Sequence, residues 1–389
     1  TPKALRETLG ISGSLSGKGV GIALIDSGIE MSSEFQGRVN AFYDFTNGKS
    51  VSATPSDAYG HGTHVAGIIG GSGALSYAKE YHGLAPSVTF TVLKVLDGTG
   101  AGYTSDVIRA IDFAVKNKAK FGIDVINLSL GHPILEPAGT DPLVAAVERA
   151  SAAGIIVVAA AGNLGQNPTT GMPGYGGITS PGNAPSVLTV GALNTFATAI
   201  RSDDRIPDYS SSGPTWYDAM FKPDFLAPGH NIVSVAAKGG QLYQKYPKLR
   251  SSDPDYMRLS GTSMATGVAT GVVALMIEAH EAAQGVDAPP LTPNAVKASM
   301  EYTALHVHND LGVEYDPLRE GAGGLNGQGA IQLARAIDTR TAVGGWWMTS
   351  VDYLTTTIGG ETQTWNQTVI WGSTVIWGST INENQQARG

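Results

Sequence analysis

The stretch "VGIALIDS", residues 20–27, runs through Val, Gly, Ile, Ala, Leu and Ile without a polar interruption and then stops on an acid, Asp26. A strand with one wet face alternates apolar and polar residues. A continuous run instead reads as a strand covered on both faces, the pattern of a parallel sheet held between helix layers. Four more runs of this kind follow: "TFTVLKVL" (89–96), "DVINLSLG" (124–131), "GIIVVAAAGN" (154–163) and "SVLTVGALN" (186–194).

Helical patterns fall between and after them. "TSDVIRAIDFAVKNKAK" (104–120) opens on Ser and Asp and closes on lysines, in the sense the helix dipole favours. "DPLVAAVERASAAG" (141–154) has Asp and Pro at its start and Gly at its end. Further helices are predicted at about 262–281, 292–304 and 329–338. The alternation predicts an α/β fold, a doubly wound and mostly parallel sheet with helices on both faces, in one domain over residues 1–340.

A second segment, 341–389, differs in composition. It holds five of the six tryptophans (Trp346, Trp347, Trp365, Trp371 and Trp377) and a tandem "TVIWGS" at 368–373 and 374–379. Two repeats are too few for a solenoid, so the segment reads as a β-prone extension whose aromatics cover an apolar patch or sheet edge. A docking surface for a partner or polymeric substrate is the sharper alternative. The terminal "INENQQARG" reads as disordered.

Bulk properties exclude several classes. The formal charge is −8 with no Lys/Arg-rich run, which argues against a nucleic-acid partner. No stretch reaches the roughly 18 uninterrupted apolar residues of a membrane span. The absence of cysteine excludes disulfides, thiolate metal sites and a Cys nucleophile. The start "TPKALRETLG" has neither an initiator Met nor a leader and reads as a processed form.

Chemistry is sought at the carboxyl ends of the strands, where ligands gather in open parallel sheets. Asp26 ends the first strand, as either a turn-forming Asp or a buried carboxylate that needs a partner. His61, in "DAYGHGTHVAGIIGG", stands where a helix begins. His64 gives it an H-x-x-H spacing, but no Glu or Cys stands at zincin spacing, so His64 reads as a packing residue. Ser263, in "SGTSMATG", begins a helix that is apolar on nearly every side; it is either a cap or a nucleophile at the helix's positive end. Ala265 stands where a G-x-S-x-G elbow needs its second glycine. Asn163 ends the fourth run, as a turn residue or an oxyanion donor.

Taken in order, "ALIDSG", "GHGTHVAG", "AAAGN" and "SGTSMA" resemble the subtilisin-type serine proteases, the subtilases, over roughly residues 15–340. The resemblance implies a serine endopeptidase working through an acyl-enzyme. Ser263 would be the nucleophile, His61 the general base, Asp26 its orienting partner, and Asn163 with the Ser263 N–H the oxyanion hole. It also implies that an extended polypeptide lies between two strands, one at Gly100 and Gly102 and one at Ser129, Leu130 and Gly131. Gly98, Gly100 and Gly102 fall one residue short of a dinucleotide loop. Gly131, Ala160, Ala161 and Gly162 would line the pocket before the scissile bond, with Leu164 next to it. No acid is evident there, so apolar or aromatic side chains are expected. "ITSPGNAPSV" (178–187) matches the loop that closes this pocket, and the bond before Pro181 is a candidate for the cis form.

Catalysis then needs no cofactor. A structural calcium fits the family, but at no assigned site: "GGSGALSYAKEYHGLAP" (70–86) lacks the usual calcium-loop pattern, and Asp203, Asp204, Asp253 and Asp255 read as solvated loop acids. The expected setting is extracellular, with a cytoplasmic one as the alternative, as a monomer, with polypeptide substrates and a pro-segment of its own as inhibitor or chaperone. One departure is Gly267, where the family usually carries proline. It motivates a rival reading, a peptide ligase or transpeptidase on the same scaffold. A third reading is a binding module that uses the aromatic tail.

Overall fold

The computed structural model describes residues 2–342, 345–348, 351, 354–371 and 374–377. Eight strands form the central sheet: β1 (Gly21–Asp26), β2 (Val39–Asp44), β3 (Val51–Ser52), β4 (Thr89–Lys94), β5 (Val125–Leu128), β6 (Ile156–Ala160), β7 (Leu188–Leu193) and β8 (Phe225–Pro228). Their order is β8-β7-β6-β5-β1-β4-β2-β3. Every pairing is parallel except β2 with β3 at the edge. The doubly wound, mostly parallel sheet is therefore the observed architecture. Reading apolar runs missed β2, the strand next to the edge, with only one buried residue, and β8, four residues ending in proline.

The continuous apolar runs divide their side chains between two cores. In β1, Ile22 and Leu24 enter one cluster while Ala23 and Ile25 enter the other; Val125 against Ile126 and Ile156 against Val157 repeat the split. This follows from the two-residue period of a strand with both faces covered. The first core takes α1 (His61–Gly70), α4 (Thr262–Gln284) and α5 (Gly327–Ala336), and the second takes α2 (Thr104–Lys116) and α3 (Pro142–Ala152). Asp141 caps α3, accepting from Leu143 N and Val144 N, and Pro142 fills the first helical position.

The helix expected over 104–120 is interrupted. α2 ends at Lys116, and a short helix, Lys118–Phe121, follows Asn117 and stops at left-handed Gly122. Its expected Ser/Asp cap does not form. Asp106 is buried in the first turn and pairs with Arg109. α4 is long and apolar enough to cross a membrane by composition, yet it is the central core helix, packed on β5 to β8. Asn127 Nδ2 on β5 donates to Thr270 Oγ1 at 2.9 Å, so a polar bond inside the core sets how far α4 slides along the sheet.

After residue 340 the chain returns to the domain. Strands Thr355–Ile358 and Glu361–Thr364 pair antiparallel, and the two TVIW units pair with each other, Thr368 opposite Trp377. Trp365 is 1 % exposed, clusters with Leu305 and Ile358, and donates from Nε1 to Thr356 Oγ1 at 2.8 Å. Asn366 N and Gln367 N bond Ala304 O and Tyr302 O. Trp346 and Trp347 are exposed and stack on each other. The side chains of Trp371 and Trp377, and the terminal "INENQQARG", lie outside the described residues. Truncation of Trp365 to alanine is expected to cost about 3–5 kcal/mol of stability in denaturant titrations. An unshifted midpoint would show that this segment does not share the domain's core.

Candidate active site

Asp26 ends β1 and is fully buried. Its Oδ1 accepts the Ser27 N–H at 2.7 Å, and its two oxygens lie 2.8 and 3.0 Å from His61 Nδ1. His61 is the first residue of α1, reached through Gly60 in the left-handed region (φ 100°). The surrounding glycines are required by contact. A Cβ on Gly28 would sit 2.0 Å from Ser56 O, and one on Gly62 would sit 2.2 Å from Gly28 O. The turn after β1 and the start of α1 therefore touch backbone to backbone, which brings His61 onto Asp26.

Asp57 welds this junction. Buried, it accepts from Gly60 N (2.7 Å), Ser27 Oγ (2.8 Å), Thr63 N (2.8 Å) and Thr63 Oγ1 (2.6 Å), while Ser27 Oγ accepts from Gly62 N. Lys94 Nζ, at the end of β4, donates to Ser27 O at 2.7 Å. The sequence reading passed over all three residues. Asp57 stands four positions before His61 rather than at the usual cap position, and only the left-handed Gly60 folds it back onto the helix end.

Two histidines one turn apart meet opposite electrostatics. For His61, 16 % exposed, burial works against the imidazolium, but the Asp26 charge and hydrogen bond, with Asp57 behind them, outweigh it and raise the pKa above the ordinary value. His64 is buried with no carboxylate partner. Its Nε2 lies 3.1 Å from Ile232 O and 3.2 Å from Met257 O, so that nitrogen carries the proton and donates. Burial, and then the His61 charge, pull its pKa down to about 3. His64 is the packing residue expected, not half of a metal pair.

Ser263 is the second residue of α4. Its hydroxyl donates to Ser129 O at 3.1 Å, and its carbonyl accepts from Ser129 Oγ at 2.9 Å. Among the described residues it makes no hydrogen bond to His61. The Asn163 amide is oriented by the helix start. Thr262 N–H can only donate, and it meets Asn163 Oδ1 at 2.9 Å, so the Asn163 NH₂ is left as the outward end. Asn163 is exposed, and among the described residues the Ser263 N–H donates to no protein acceptor. Two donors thus remain open beside the Ser263 hydroxyl. A side chain at Gly267 would meet Ile68 and Val65 at 3.4–3.5 Å, ordinary contact, so crowding does not demand glycine there.

A cleft of about 400 Å³ joins His61 to Gly100, Gly102, Ser129, Leu130 and Gly131, with Tyr59, Leu96, Val107 and Leu143 completing its apolar wall. Both expected substrate strands border it. Ala160, Ala161 and Gly162 do not; they are buried at the end of β6. Gly131 and Gly162 meet instead across Thr179, from which their Cβ positions would lie 2.7 and 2.9 Å, and Ser211 is equally close to Gly162. Thr179 and Ser211 escaped the sequence reading because neither adjoins a motif. The Ser180–Pro181 bond is cis.

The stretch 70–86 folds around Glu34. Its Oε2 accepts Gly73 N at 2.6 Å, and its Oε1 accepts Leu75 N at 2.9 Å and Tyr256 OH at 2.5 Å. The loop acids are engaged as well: Asp203 with Thr198, Asp204 with Arg201, Asp253 with Asp255 N, and Asp255 with Lys238.

The family model described as "Subtilase family" matches residues 17–329. Serine protease AprX of Bacillus subtilis (strain 168) is 37 % identical over 322 residues, which cover 82 % of this chain and 67 % of that protein. Subtilisin E of the same organism is 33 % identical over 300 residues, 76 % of this chain and 62 % of that protein. The chain thus spans about two thirds of the length of these relatives. The crystal structure of a cold-adapted subtilisin-like serine proteinase matches with a TM-score of 0.56 at 30 % identity, over 78 % of this chain and 89 % of that one.

The two histidines can be told apart by NMR titration. His61 is expected to titrate above the ordinary histidine range and to move down in Asp26→Asn, while His64 stays neutral until about pH 3. Because the unfolded chain protonates His64 near pH 6.5, this residue withdraws stability as pH falls from there toward 3. An ordinary titration of both rings would contradict the geometry.

Proposed function

The chain belongs to the subtilase family, whose relatives named above are serine proteases, and from that premise we propose that it hydrolyses peptide bonds of extended polypeptides through an acyl-enzyme on Ser263. The observation that carries this is the Asp26–His61 pair, bonded through Nδ1 and bordering the same cleft as Ser129, to which the Ser263 hydroxyl is held. With the Nδ1–H donating to the Asp26 carboxylate, the lone pair of Nε2 is free to act as a base.

Ser263 Oγ turns from the Ser129 carbonyl to His61 and attacks the scissile carbonyl carbon as its proton passes to Nε2. The oxyanion that forms is met by the Asn163 NH₂ and the Ser263 N–H, aided by the positive end of α4. His61 then protonates the leaving amine, the C–N bond breaks, and a water activated by the same base frees the acid. Asp26 stays ionised throughout and stabilises the imidazolium. The substrate backbone pairs with the strands at 100–102 and 129–131. Thr179 and Ser211, hydroxyls without a carboxylate, support a preference for apolar or aromatic residues before the scissile bond. Catalysis needs no cofactor in this scheme.

A serine-directed fluorophosphonate should add one adduct to the wild-type chain by intact mass and none to Ser263→Ala. A wild-type chain without the adduct would remove the enzymatic reading. Asn163→Ala should leave KM nearly unchanged and lower kcat by about 10²–10³-fold, the loss known for an oxyanion donor of subtilisin itself. An equal loss confined to KM would place Asn163 in substrate binding alone.

A further inference from the structure

Away from the cleft, one buried carboxylate has no use in this scheme. Glu320 ends the short helix Pro317–Glu320 and is 2 % exposed. Its Oε2 accepts the Val307 N–H at 3.1 Å. Among the described residues no N–H or O–H donor reaches its other oxygen, and the group beside it is a second carboxylate, Glu314. His306 completes the cluster, its Nδ1 2.6 Å from Glu314 Oε1. One donor atom from each of the three lies within 4.8 Å of the others.

Two carboxylates held side by side, Glu320 buried and Glu314 at its mouth, repel unless a proton or a cation sits between them. Arg205 is paired with Asp310 at 2.6 Å, and Arg319 lies over the Tyr315 ring; among the described residues neither donates to Glu320. We propose that His306, Glu314 and Glu320 bind a divalent transition-metal ion of the zinc type. An imidazole nitrogen with two carboxylate oxygens suits such an ion, whereas calcium and magnesium take oxygen ligands alone. A tetrahedral zinc site holds its ligands about 3.3 Å apart. Rotation of His306 and Glu314, both partly exposed, closes the remaining distance and leaves water a fourth position.

The ion has a structural purpose. Glu314 lies on the return limb of a surface turn, bridged to His308; His306 follows Leu305, which is bridged to Gly324; Glu320 comes from the helix. A single ion would clip the turn to the helix. That helix in turn supports loops beside Thr179 and Ser211, since Leu318 O accepts Gly213 N at 2.8 Å and Asp316 accepts Tyr175 OH at 2.8 Å. Burial, with Glu314 alongside, raises the Glu320 carboxyl to about 9, which makes a shared proton the competing occupant of the same gap.

The test uses the full chain carrying Ser263→Ala to prevent self-digestion, stripped with a chelator and titrated with Zn²⁺ by calorimetry. One equivalent should bind, and Tm should rise by about 3 °C at a hundredfold excess over Kd. Any rise that Ca²⁺ gives should be the same in the parent chain and in the two variants below, since an all-oxygen ion would act at another site. Adding His306→Ala or Glu314→Gln should weaken binding at least about tenfold and cut the rise to about half or less. Glu314 is partly exposed, so its variant is expected to fold whatever His306→Ala does. Wild-type affinity in both variants would place the ion on other residues. No binding by the parent chain would leave the gap to a proton. Either result overturns the proposal.

Discussion

Helix 262–284 is apolar on nearly every side, so it has no face to turn to water and must be enclosed. The sheet supplies one wall through β5 to β8, and helices 61–70 and 327–336 supply the others. Much of the molecule follows from that enclosure. The few hydroxyls inside it are satisfied locally, Thr266 by Thr262 O and Thr270 by Asn127. Those bonds, with Ser129 against the Ser263 carbonyl, set the helix at one height along the sheet. A slip of one turn, about 5.4 Å, would separate all of them at once. The position of Ser263 is therefore a consequence of how the central helix packs in the core.

The second element of the site depends on a buried charge. Asp26 lies where β1 ends, with one backbone N–H and one imidazole as its partners. Removing the imidazole would strand a carboxylate in the core, so the pair stabilises its own geometry. Behind it, Asp57 collects four donors and holds the start of α1 in place. The contrast with His64 shows how local the effect is. Two histidines on adjacent turns differ in charge behaviour because one faces carboxylates and the other faces backbone carbonyls.

The strand runs, the helix after Ser263 and the four motif residues were legible because each is written in a short window of residue chemistry. The misses are equally specific. β2 lies next to the sheet edge, covered only by the two-residue β3, and its burial pattern carries no continuous apolar run. α2 breaks at Asn117, where its backbone leaves the helical region, although the lysines on either side read as one helix. The contacts of Thr179 and Ser211 with Gly162 lie outside any short window, because neither residue adjoins a motif. Trp365 does cover an apolar patch, as the composition of the extension suggests, but that Leu305 forms the patch is not written in any local window.

The sequence by itself determined the doubly wound sheet, the buried helix and the identities of Asp26, His61, Asn163 and Ser263, because periodicity and side-chain chemistry act within a few residues. Tertiary structure alone decided which atoms face one another. It set Asn163 with its amide outward, Asp57 under the start of helix 61–70, and His306 and Glu314 around the buried Glu320. Such relations join residues up to about a hundred positions apart, and they arise only when burial of the central helix closes the chain around it.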